Sequence, residues 1–178
     1  MDKIGQNILK NFKEIEVITL LFDFSSDTSI EAYEDLYKKI EKLDISILVN
    51  AVGFTKANEF CNMSLNEVHT LMAVNCYPIA LLTKQVLKSF KTRFKKDNKT
   101  RSLIINFSAG ASLIPTPFVQ LYSATKIYTD FLSEGLAYEL KEFNVDVMTV
   151  KSYNLTNEIV LNNDKIPFFV RLATVTPE

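Results

Sequence analysis

The sequence predicts an α/β domain built on a mainly parallel sheet. Three observations lead there: short aliphatic runs of strand type, amphipathic stretches of ten or more residues between them, and polar residues just past the ends of the runs. Hydrophobic residues are 47% and charged residues 23% of the 178, a composition that builds one core and argues against disorder.

Ile4 to Phe12 has the spacing of an amphipathic helix. Glu16 to Phe22 (EVITLLF) is predicted as the first strand. Ser29 caps a helix running to Leu43, with Ala32, Leu36, Ile40 and Leu43 along one face. Ile45 to Val49 (ISILV) is the second strand and ends in Asn50-Ala51-Val52-Gly53. Ser64 and Glu67 form a capping box that opens a long helix reaching about Phe94. Pro78 lies inside that helix and removes the bond to the Val74 carbonyl, which predicts a kink or restart near Asn75 with a free polar backbone group. The strand Ser102 to Phe107 (SLIINF), a loop, the helix Tyr122 to Phe143 and the strand Val145 to Val150 follow. Ligands of parallel sheets sit beyond the carboxyl ends of the strands, where Asp23, Asn50 and Ser108 fall.

The formal net charge of -1 supplies no field for gathering nucleic acid or an anionic membrane. No run approaches the ~18 apolar residues of a transmembrane helix. The residues from Met1 to Asn11 mix charges and amides through the apolar positions, unlike a signal peptide. Cys61 and Cys76 have neither metal-ligand spacing nor the numbers of a disulfide framework, and read as small buried hydrophobes; no residue is assigned to a metal. The Asn-x-Ser/Thr triplets at Asn62, Asn98, Asn106 and Asn154 read as chance. His69, the only histidine, reads as a surface or boundary position on a helix, and Lys91 to Arg101 as a solvated helix end complementing the macrodipole. Ile166 to Leu172 (IPFFVRL) reads either as a loop shaping a substrate pocket or as an exposed apolar patch.

Tyr122 and Lys126 stand four residues apart on one helix face and so can share one site. A phenol titrates near 10, too high for easy proton transfer at neutral pH; an adjacent ammonium favours the phenolate and makes tyrosine a usable acid or base. The pair alone is common on helices. Its context is more specific: Asn106 to Lys126 reads NFSAGASLIPTPFVQLYSATK, a strand, a small-residue loop and a helix opening on Tyr122.

With Asp23-Phe24-Ser25 after one strand, Asn50-Ala51-Val52-Gly53 after the next and Val74-Asn75 in the long helix, this pattern resembles the short-chain dehydrogenase/reductase family. The DFS triplet, the IPTP loop and YSATK resemble its branch of 17β-hydroxysteroid dehydrogenases types 3 and 12, the latter very-long-chain 3-oxoacyl-CoA reductases. The likeness runs to about Phe169. It implies a partial Rossmann-type doubly wound parallel sheet lacking its first two strands, and a single incomplete domain over 1–178. It implies NADP(H) as cofactor, and a steroid or long-chain acyl-CoA carbonyl as substrate. Tyr122 would be the proton donor and, with Lys126, one of the residues that bind the cofactor. Lys126 would lower the phenol's pKa and hold the nicotinamide ribose, and Asn75 would anchor a water at the helix kink as a proton relay. Asp23 would contact the adenine, and Asn50, Ala51 and Gly53 would border the cofactor. Relatives of this kind pair through the helices matching 74–94 and 122–143, which implies a homodimer. The branch implies the endoplasmic reticulum; the chain as given, with no membrane segment, implies the cytoplasm.

The departures are equally specific. The family's catalytic serine lies thirteen residues before the tyrosine, where this chain has Ala109. Ser108 and Ser112 are the substitutes in reach, though Ser108 as a strand neighbour points to the opposite face. The family's Thr-Gly-x-x-x-Gly-x-Gly turn has no counterpart among the four glycines, and the chain opens within what would be the family's second helix. With strand order 3-2-1-4-5-6, two central strands are missing between the run at 16–22 and the run at 45–49, leaving their hydrogen-bonding edges open. Ser152 stands where the family commonly has proline. Three functions follow: a carbonyl oxidoreductase, a catalytically inactive relative that binds a partner or dimerises, or a truncated product that does not fold stably alone.

Overall fold

The computed structural model describes residues 3–152, and side chains from Gly5 onward. Three parallel strands, β1 (Ile47–Asn50), β2 (Ser102–Ala109) and β3 (Val145–Ser152), lie in the order β1-β2-β3. The parallel register sets Leu48 beside Ile104 and Asn50 beside Asn106, while Ile104 pairs with Val147 on the other side.

Four helices accompany them: α1 (Lys3–Asn11), α2 (Ile30–Lys38), α3 (Leu65–Lys96) and α4 (Gln120–Leu140). Ser29 caps α2 by accepting the Ala32 N–H, as its sequence position predicts. The helix proper ends at Lys38, short of Leu43, and the chain continues in tight turns through Ile40 and Leu43. The Ser64–Glu67 capping box is present in both directions. Past it, α3 runs through Pro78 as one helix, so the expected restart does not occur. The proline removes one donor from one carbonyl, and the buried apolar positions on either side, from Leu71 to Phe90, keep the helix seated. Asn144, in the left-handed conformation, ends the turn that follows α4 and turns the chain into β3.

The core is a cluster of Val86 and Phe90 from α3, Leu140 from α4, Ile104 from β2 and Val145 from β3, with Leu48 and Val147 against it. Both long helices therefore pack on the same face of the sheet. The opposite face carries Ile47, Val49, Leu103, Ile105, Phe107, Met148 and Val150. It is open at Ile47 (56% exposed), Val49 (50%) and Met148 (46%).

Glu16 to Phe22, expected as a strand, forms no ladder, and Leu21 is 98% exposed. A strand needs a neighbour for its N–H and C=O groups, and the only described partner of β1 is β2. At the end of the run the Phe22 ring meets Phe24 at 4.9 Å and Tyr33 at 5.2 Å. Of the other expectations, His69 is exposed on α3, Cys76 is buried and Cys61 exposed. Asn106 is completely buried, which removes it as a glycan acceptor. Among the described residues no helix is long and apolar enough to cross a membrane. Ile166 to Leu172 lies outside the described residues.

Candidate active site

The site forms where the loops after β1 and β2 meet α3 and α4. Phe118 enters α4 with φ 67, a conformation a bulky residue adopts only when its surroundings hold it there. Its carbonyl accepts the Asn58 N–H at 2.8 Å, joining the loop after β1 to the loop after β2. This entry places Tyr122 in the first turn of α4 and Lys126 one turn further in.

Lys126 is 5% exposed. Its Nζ donates to the Phe107 carbonyl at 3.0 Å and lies 5.5 Å from the centre of the Tyr122 ring. A β-carbon on Gly53 would stand 3.4 Å from that Nζ and 3.6 Å from Asn75 Oδ1, so the loop after β1 closes directly over the pair. Asn75 pins this loop: Oδ1 accepts the Phe54 N–H at 2.8 Å, and Nδ2 donates to the Phe54 carbonyl at 2.9 Å and to Thr125 Oγ1 at 3.1 Å. Thr125 in turn donates to the Tyr122 carbonyl at 2.7 Å. Both Asn75 amide hydrogens are thus engaged by protein. Pro78, having no N–H, leaves the Val74 carbonyl without its usual donor one residue before Asn75.

Burial pushes the Tyr122 phenol above its ordinary pKa and the Lys126 ammonium below its own. The displacement of the phenol comes from burial, and Lys126 is not among its causes. The ammonium lies within reach of the ring's π face. A phenol raised in this way keeps its proton at neutral pH and gives it up less readily than a free one.

The structure brings Gly53, Asn75, Tyr122 and Lys126 together. Other predicted residues stand apart. Asn50 is buried in a polar row, donating to Asn106 Oδ1 at 2.9 Å and Thr83 Oγ1 at 3.3 Å, while Asn106 donates to Ser133 Oγ at 2.8 Å. Its side chain joins sheet to helices instead of facing a ligand. Asp23 holds its own turn: its carboxylate accepts the Ser25 N–H at 2.9 Å and hydroxyl at 2.7 Å, and these bonds hold its pKa below the usual carboxylate value. Ala51 is exposed on the loop after β1. Ser108 Oγ donates to the Lys126 carbonyl at 3.1 Å, behind the site, and Ser112 Oγ is enclosed. Ala109 is buried. The sequence motifs mark neither Thr125 nor the bridging role of the Asn106 amide. Asp130 had a readable signal, since it continues the helical face of Tyr122 and Lys126 by one more turn.

The sequence matches the short chain dehydrogenase family over residues 2–164. This chain belongs to that family. A very-long-chain 3-oxoacyl-CoA reductase of Podospora anserina is 32% identical over 158 residues, which span 88% of this short-chain dehydrogenase and 44% of the relative. The very-long-chain 3-oxoacyl-CoA reductase of Bos taurus is 30% identical over 167 residues, 89% of this chain and 49% of the relative. The chain therefore spans about half the length of these curated relatives. Among solved structures, a short-chain dehydrogenase from Sphingobium yanoikuyae in complex with NADPH superposes with a TM-score of 0.73 at 24% identity, covering 88% of this chain and 58% of that one, a likeness of fold. The parallel sheet and its helices are thus the α/β architecture of the family.

Proposed function

We propose that the chain carries the proton-donating half of a carbonyl reductase site that works with NADP(H) on a long-chain 3-oxoacyl-CoA or a steroid. The observation that carries the reading is the buried Lys126 between the Tyr122 ring and the loop at Gly53. A nicotinamide cofactor, when bound, supplies the hydride. The residues present fit its nicotinamide-ribose end: Gly53 has no side chain where one would crowd Lys126 and Asn75, and the ammonium gives only one described hydrogen bond, to Phe107. Tyr122 then gives its proton to the carbonyl oxygen of the substrate, and Lys126 restores the phenol through its own proton. Asn75 keeps the loop over Lys126 and supports the expected water at the Val74–Asn75 backbone. The phosphate end has less support, since no glycine-rich turn follows a described strand. Asp23 and Ala51 remain the adenine and loop contacts of this reading. The acyl-CoA substrate rests on the relatives' names, and the endoplasmic-reticulum location on the branch likeness; cell fractionation tests the latter.

The experiment is NADPH fluorescence on mixing with the chain, followed by turnover of a 3-oxoacyl-CoA by the chain and its Tyr122→Phe variant. Binding with turnover that depends on Tyr122 supports the reading, and no fluorescence change at millimolar NADPH rejects it.

Ala109 favours a second reading, an inactive relative that binds a partner or dimerises through α3 and α4. These helices frame a cavity of about 550 Å³ lined by Met72, Cys76, Tyr77, Ala124 and Tyr128, with Ile30 at its side. Sedimentation of the chain with and without Tyr128→Glu tests it: a dimer lost in the variant supports it, and a monomer throughout rejects it.

A further inference from the structure

Asp130 continues the face of α4 that carries Tyr122 and Lys126, one turn beyond the lysine. Three elements converge on its carboxylate. From β3, Lys151 Nζ pairs with Oδ2 at 2.9 Å. From the turn after β2 comes the enclosed hydroxyl of Ser112, near the equally enclosed Asp130 Oδ1. Ser108 completes the set; its hydroxyl is bonded to the Lys126 carbonyl, and its own carbonyl accepts from Ser152 Oγ at 3.3 Å. Burial alone would raise the Asp130 carboxyl, but Ser112, Ser108 and Lys151 outweigh it and bring its pKa below the ordinary value.

Lys126 needs such a neighbour. A buried ammonium whose described hydrogen bond goes to one neutral carbonyl is costly unless a negative charge lies close. The groups acting on it are Cys76 from α3, Tyr122 and Asp130 from its own helix, and Lys151 of β3 by way of Asp130. Asp130 is the carboxylate in that set.

We propose that Asp130 is a positioning residue of the site: it keeps the Lys126 ammonium charged beneath Tyr122 and seats Ser112 in the bordering turn, while Lys151 draws off part of its field. The functional meaning rests on the reading of Tyr122 and Lys126 as the acid and its partner; the electrostatic coupling does not.

The test is competitive acylation of the full chain by acetic anhydride across pH, read for Lys126 alone by mass spectrometry, with no cofactor or turnover involved. In Asp130→Asn, Lys126 loses its proton more readily and is labelled about five- to tenfold faster at pH 8. In Lys151→Met, the carboxylate has no second cation and Lys126 is labelled about threefold more slowly. A merely loosened fold speeds labelling in both, so the opposite signs carry the proposal. Unchanged labelling, or the same direction in both variants, overturns it. Should Asp130→Asn fail to fold, Lys151→Met decides alone, because slower labelling has no explanation in unfolding. NADPH binding by the unmodified chain reports separately on the reductase reading: its failure beside opposite labelling shifts removes that reading and leaves the Asp130–Lys126 coupling standing.

Discussion

The ammonium of Lys126 lies 5.5 Å from the centre of the Tyr122 ring and gives a hydrogen bond to the Phe107 carbonyl at 3.0 Å. The two groups are thus neighbours through the ring, and burial moves both toward their neutral forms. That relationship sets the first expectation, for stability. The folded pKa of Lys126 lies below its unfolded value, so at alkaline pH the unfolded chain binds more protons and stability rises as pH climbs toward 10.5. Lys126→Met is expected to gain about 1–2 kcal/mol at neutral pH and to lose that climb. Urea unfolding across pH 7 to 10 measures both, and a Lys126→Met protein less stable at neutral pH than the parent contradicts the argument.

Tyr122→Phe removes the proton donor while preserving the ring beside Lys126. If the chain turns over substrate, the expected loss is about 10²–10⁴-fold in rate with NADPH affinity unchanged. Absorbance at 340 nm follows the rate and fluorescence the binding.

Ala109→Ser restores a hydroxyl where family members have one. A preorganised donor of this kind is typically worth about 10²-fold or more, so turnover is expected to rise by that order while cofactor affinity stays level. A steady-state comparison of the two proteins is decisive, since a change confined to KM assigns the serine to substrate binding alone.

Asn106 links Asn50 on one strand to Ser133 on α4 at zero exposure. Asn106→Ala leaves the buried Asn50 amide without that acceptor and Ser133 Oγ without that donor, and opens a small void. The expected cost is about 2–4 kcal/mol, read as a fall in the urea midpoint. Asn50→Ala is expected to cost less, because Asn106 keeps its bond to Ser133.

The helices and strands were legible because their signals are local. The Ser64–Glu67 box, the Ser29 cap and the run at 102–107 each settle their own backbone. Strand status at 16–22 was not legible, because pairing depends on a partner elsewhere and not on the β-branched composition of EVITLLF. The length of α2 was overread for a related reason: Ile40 and Leu43 keep helical spacing, but nothing in the pattern marks the turns that end the helix. In the site, the Tyr122–Lys126 spacing gave the pair, yet not the orientation of the ammonium, which is set by Phe107 on β2. Asn50 looked like a loop residue at a strand end; its partners Thr83 and Asn106 lie 33 and 56 residues away and leave no trace in the local sequence.

Because both long helices press on one side of the sheet, Ile47, Val49 and Met148 lie open on the other. An exposed aliphatic surface of this size invites dye adsorption and self-association. Val49→Lys combined with Met148→Lys is expected to lower 1-anilinonaphthalene-8-sulfonate fluorescence and to raise the concentration at which the chain precipitates. Unchanged dye uptake would place the adsorbing surface elsewhere.

The tie between Asn58 and the Phe118 carbonyl has a consequence for motion. Two loops from different strands that share a backbone bond do not open one at a time. An incoming molecule therefore meets a single hinged rim, and amide protons at both places should exchange with solvent at one common rate.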